Sequence, residues 1–105
     1  MKEPRAFGEM VREHGRKLRQ VDYRDLAGTQ PMQPARINIG RRTGYIECIC
    51  QLEGERIAVV VRGKIDTWLP WMKRIYRDGF FKYPDGSLAD IPVDMLYNYD
   101  PLLSD

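Results

Sequence analysis

Apolar residues recur along this chain with two different periods, and the change of period marks the elements. Phe7, Met10, Val11, His14 and Leu18 return at helical spacing and form one stripe. Arg5, Arg12, Glu13, Arg16, Lys17 and Arg19 lie mostly off it. Pro4 suits a first turn, where its missing N–H costs nothing. The spacing therefore predicts a helix over about residues 4–20, packed on a sheet. Gly8 and Gly15 weaken that helix by roughly 1 kcal/mol each. Residues 26–35, with Gly28, Pro31 and Pro34, read as a connector that cannot be helical throughout.

The period then shortens to two. Ala35–Gly40, Thr43–Leu52 and Glu55–Arg62 are strand-like runs. With Glu53-Gly54 as a two-residue turn, Leu52 opposes Glu55, Cys50 opposes Ile57, Cys48 opposes Val59 and Ile46 opposes Val61. The last three pairs are apolar on both sides, and a slip of one residue would break that match. With Arg41-Arg42 as the first tip, Ile37 opposes Ile46 and Arg36 opposes Glu47. A three-stranded antiparallel meander follows, its core face built from Ile37, Ile39, Ile46, Cys48, Cys50, Leu52, Ile57, Val59 and Val61.

Beyond it the pattern alternates in type. Asp66 or Thr67 can cap a short helix around residues 67–77, carrying Trp68, Trp71, Met72, Ile75 and Tyr76, with Gly79 as its stop. Phe80–Tyr83 and Leu88–Ile91 flank the turn signal Pro84-Asp85-Gly86-Ser87 and predict a second hairpin. Val93–Leu103 is expected to pack as a short helix or an extended cover. The expected fold is α+β. An antiparallel sheet of about five strands carries the N-terminal helix on its core face.

Composition narrows the class. At 105 residues and 43% hydrophobic content the chain makes one globular domain, residues 1–105, with a modest core. That apolar fraction excludes a disordered tail. No apolar run approaches the roughly 18 residues of a membrane span. Met1-Lys2-Glu3-Pro4-Arg5 leads into no apolar leader, so a cytoplasmic location is the expectation. The net charge of +2 hides a gradient: residues 1–25, 26–62 and 63–79 each carry +2, whereas residues 80–105 hold one Lys and five Asp. The acidic end is expected to fold back on the basic body and neutralise it. The alternative is a basic binding surface beside an acidic tail.

Catalytic material is thin. The serines Ser87 and Ser104 and the threonines Thr29, Thr43 and Thr67 form no nucleophile elbow and do not adjoin His14, the lone histidine. Asp85, Asp90 and Asp94 sit in turn and edge contexts, where solvated carboxylates are the rule. Cys48 and Cys50 point to one face about 6.6 Å apart, near the outer limit for a disulfide. A site of Cys48, Cys50 and His14 is geometrically conceivable. It lacks the local paired spacing of zinc sites, and small thiols packed among Ile and Val are the expected state. The reading is a non-enzymatic chain without metal or cofactor.

Two surfaces compete for a binding role. Tyr45, Glu47, Ile49, Ala58 and Val60 share the outer sheet face, too apolar to be fully solvated. The leading expectation is a protein-binding module, a regulator, inhibitor or adaptor of an unidentified partner protein. It would use Tyr45, Ile49, Val60, Trp68 and Trp71, of which Tyr and Trp are types that dominate interfaces, and self-association as a homodimer would draw on the same surface. The alternative is RNA or DNA binding at a basic sheet end formed by Arg41, Arg42, Tyr45, Arg62 and Lys64, cations gathered round an aromatic ring.

Overall fold

The structure is a computed structural model that describes residues 2–28, 35–67 and 72–103. Helix α1 (Lys2–Arg19) and a short α2 (Tyr23–Ala27) precede strands β1 (Ala35–Ile39), β2 (Arg42–Glu53), β3 (Arg56–Asp66), β4 (Lys73–Lys82) and β5 (Leu88–Asp90). A short α3 (Val93–Leu96) and a 3-10 turn (Tyr97–Leu102) follow. The strands form one antiparallel sheet in the order β1-β2-β3-β4-β5. The α+β expectation holds, with the N-terminal helix and a five-stranded antiparallel sheet in place.

One element differs. The helix expected around residues 67–77 is absent from the described part of that stretch, where Lys73–Lys82 is β4. β3 is buried along nearly its whole length, so its backbone needs a partner strand on both edges. β4 supplies the second edge, from Ile57↔Lys82 to Asp66↔Lys73. Gly79 does not stop a helix. It lies inside β4 where a Cβ would come within 2.5 Å of the Leu96 side chain, so it admits the C-terminal cover. The hairpin across Pro84-Asp85-Gly86-Ser87 forms as expected, pairing Phe80 with Asp90 and Lys82 with Leu88.

The register of the meander is offset by two residues from the expected one. Cys50 faces Val59, Cys48 faces Val61 and Ile46 faces Gly63. Ile37 faces Gly44, and Arg36 faces Tyr45. The turns explain the offset. Gly40 and Gly54 have φ of 60° and 63°, and no other residue type in the described chain has positive φ. Each glycine therefore takes the first central position of its two-residue loop, Gly40-Arg41 and Gly54-Glu55, as a type II′ turn requires. Placing Glu53 there would force a glutamate into the left-handed region. An offset of two keeps every side chain on its expected face.

α1 crosses the inner face of the sheet. Phe7, Val11, Ile46, Cys48, Val61 and Ile65 form one cluster, and Leu26, Ile57, Val59 and Phe80 form the next. Glycines set the depth of the crossing. A Cβ on Gly44 would lie 2.6 Å from the Phe7 ring, and one on Gly63 would lie 2.4 Å from Val11. Gly8 and Gly15, costly to an isolated helix, press against Tyr76 and Asp78 of β4. The helix ends where the buried Lys82 donates from Nζ to the Arg19 carbonyl at 2.8 Å.

The C-terminal segment covers the other face. Ile91, Leu96, Tyr99 and Leu103 close over Ile49, Ala58, Val60 and Phe81. Tyr99 donates to Glu53 at 2.8 Å. Of the two forms expected for Val93–Leu103, the short helix is the one adopted. No helix among the described residues is long and apolar enough to cross a membrane.

Candidate binding face

The outer sheet face divides into three bands, read along the strands. The first is the apolar patch just described, sealed by the chain itself. Ile49 is 5% exposed and Val60 is fully buried, so neither is available to a partner. The expectation that they contribute to an interface is corrected: the cover they require is the C-terminal segment.

The second band is ionic. Glu47 faces Arg62 across β2 and β3, and both are buried. Arg62 donates to Glu47 Oε1 from Nε at 3.2 Å and from Nη2 at 2.6 Å. Its Nη1 lies 3.5 Å from Asp100 Oδ1. Arg77, beside Arg62 on β4, grips Asp100 in a fork, Nε to Oδ1 at 3.2 Å and Nη2 to Oδ2 at 2.7 Å. Its guanidinium also stacks 4.2 Å over the Tyr97 ring. Across the band the chain alternates carboxylate and guanidinium, and no buried side-chain N or O among the described residues lacks a hydrogen bond. The acidic end does return to the basic body: Asp100 meets Arg62 and Arg77, and Asp90 lies 3.6 Å from Arg19.

The third band is open. Its central row runs across four strands as Arg36, Tyr45, Lys64 and Ile75. Tyr45 is 44% exposed and Ile75 42%. The row beyond it holds Asn38, Thr43, Asp66 and Lys73, the last two joined as an ion pair. Tyr97, also exposed, stands at the rim of the C-terminal cover. Arg36, Arg41, Lys64 and Arg74 have no ion-pair partner among the described residues.

This geometry redistributes the expected basic cluster. Tyr45 and Lys64 are direct cross-strand neighbours. Arg62 is not beside Tyr45. The two-residue offset moves it into the ionic band, where Glu47 and Asp100 engage it. Arg41 is exposed at the tip of the first hairpin, and Arg42 points to the helix side with Nη1 donating to the Asp66 carbonyl at 3.3 Å. Trp68 and Trp71 lie outside the described residues. Arg36, Ile75 and Tyr97 are the members that the sequence reading missed. The alternation of β4 would have found Ile75, once residues 73–82 are read as a strand.

The thiols and the histidine do not meet in a metal site. Among the described residues no group of three or more His, Cys, Asp or Glu is placed to hold a metal ion. Cys48 and Cys50 form no disulfide and face α1. The neighbouring Cys48 and burial push the Cys50 thiol up, away from the reactive thiolate. His14 borders a groove of about 480 Å³ between α1 and the first hairpin, floored by Ile37 and Ile46. Burial lowers its pKa.

Asp100 gives the ionic band a pH limit. The Arg77 fork, with Arg62 behind it, holds its carboxyl below the usual carboxylate range. A depressed carboxylate contributes stability above its unfolded pKa, near 3.9, and loses it as pH falls through the folded value. Urea unfolding of the wild type should therefore weaken below about pH 4 more steeply than that of Asp100→Asn, which has no charge there to lose. Parallel curves for the two proteins would remove Asp100 from the acid transition. No family model, no curated protein and no solved structure matches this chain.

Proposed function

We propose that the chain is a small non-enzymatic protein-binding module, a regulator, inhibitor or adaptor that engages a partner through the open band. One observation carries this reading. The chain seals most of its sheet with its own helix and C-terminal segment, yet leaves Tyr45 and Ile75 exposed in one row with Arg36 and Lys64, and Tyr97 exposed over Arg77. Tyrosine and arginine are among the residue types that anchor interfaces.

The test compares tagged wild type with a Tyr45→Ala/Ile75→Asp double variant as bait in extracts of the native host. Wild type should retain a protein that the variant loses. Identical captures, or none from either bait, would overturn the reading. The Arg36–Tyr45–Lys64 row favours a second reading, a single-stranded nucleic acid stacked on Tyr45 with its phosphates on the flanking cations. Binding of mixed oligonucleotides that falls with salt and disappears in Arg36→Ala/Lys64→Ala would support that reading.

A further inference from the structure

The open band continues into an open edge. β4 pairs with β3 over its whole length but with β5 only from Phe80 to Lys82. One further bond, from the Ile91 N–H to the Gly79 carbonyl at 3.3 Å, closes the covered part. Among the described residues, nothing pairs with the outer edge between Lys73 and Asp78. In an antiparallel strand the backbone groups of alternate residues point the same way. Since the Gly79 carbonyl points outward, so do the N–H and C=O groups of Arg77, Ile75 and Lys73.

Such an edge is a template for another strand. Its side chains say which kind. Asp78, the one carboxylate of this stretch, is held by Arg19 at 2.9 Å; Lys73 is paired with Asp66 and Arg77 with Asp100, so Arg74 is the cation of the edge that has no ion-pair partner among the described residues. Arg74 is exposed, and Ile75 offers an apolar contact between the cations. A second copy brings no opposite charge to Arg74: pairing the edge with itself about Ile75 sets Arg74 across from the copy's Tyr76, and Lys73 across from its Arg77, each already paired within its own chain. Lysine on an edge strand is a common device against self-pairing. It also attracts a strand of opposite charge.

We infer that the β4 edge from Lys73 to Arg77 receives an extended acidic segment of a partner protein as an added strand. The inference rests on the protein-binding reading and names the chemistry of the partner. Main-chain bonds to Ile75 and Arg77 supply the affinity, and a carboxylate beside Arg74 with an apolar residue near Ile75 supplies the selectivity.

The probe is a short acetylated peptide alternating Glu and Val, added to the full ¹⁵N-labelled chain, with a Lys/Val peptide as control. Amide hydrogen exchange at Ile75 and Arg77 should slow by about tenfold or more at saturation, while Tyr76, already bonded to β3, stays unchanged. The control should do nothing, and Arg74→Glu should weaken the Glu/Val peptide by about tenfold. No protection at about 1 mM peptide, or binding without protection at those two amides, overturns the inference. So does an oligonucleotide that protects this edge where the peptide does not. If the peptide fails while a host protein is still lost from the Tyr45→Ala/Ile75→Asp bait, the edge is wrong and the protein-binding reading stands. If both fail, the reading itself falls.

Discussion

Glu47→Ala should destabilise the fold by about 3–5 kcal/mol, the scale for breaking a buried ion pair from one side. The cost comes from what is left behind. Arg62 is 5% exposed and gives Nε and Nη2 to Glu47. Without that carboxylate its charge keeps the longer approach to Asp100, at 3.5 Å, and Asp100 is already forked by Arg77. The C-terminal segment meets this guanidinium through Asp100. The loss should therefore spread: exchange protection should fall first around Leu96 and Tyr99. A compensating variant separates charge from shape. Glu47→Leu/Arg62→Leu removes both charges and should recover much of the stability, because an apolar replacement of a buried pair is often neutral. Chemical denaturation of the single and double variants decides it. A Glu47→Ala cost below about 1 kcal/mol would show that the pair is solvated in solution.

Phe7→Ala carries a penalty of similar size, about 3–5 kcal/mol, through packing. Phe7 is fully buried and meets Tyr76 edge-on, with ring centroids 6.1 Å apart. Beneath it lie Gly44 and Gly63, which have no side chains to swing into the space it would vacate. The site can collapse only by moving backbone, and poorly collapsing sites sit at the high end of the range. A coupling experiment tests that cause. Gly44→Ala in the wild type drives its new methyl group to 2.6 Å from the Phe7 ring, and overpacking of this kind costs about 1–3 kcal/mol. In the Phe7→Ala background the same methyl enters the void, and most of that cost should vanish. Additive costs would show that Gly44 does not feel the ring.

Much of the fold was legible because side-chain parity survives small errors of register. Ile46, Cys48, Val59 and Val61 reach their expected face although their partners are displaced. The displacement itself was within reach, since Gly40 and Gly54 each demand the first loop position. Residues 73–77 differ from the expectation for another reason. Ile75 and Tyr76 fit a helical stripe only in company with Trp68 and Trp71, and periodicity is ambiguous over so short a run. What decides the strand is tertiary: the unpaired edge of β3. The candidate site was half visible. Tyr45 and Lys64 stand together because they share a face, but Arg62 drops out because its neighbours depend on register. Asp100 could be anticipated only as part of a negative chain end, since pairing it with Arg77 requires a reversal that no local pattern encodes.

Because spatial neighbours in the sheet are also neighbours along the chain, each strand pairing closes a short loop at little entropic cost. Most pairings are thus available early and separately. The distant closures are made by the N-terminal helices α1 and α2 across β2, β3 and β4, and by the C-terminal segment across the opposite face. These late, long-range steps bind the otherwise independent hairpins into one cooperative unit, and the relative contact order is carried by the two coverings, not by the sheet.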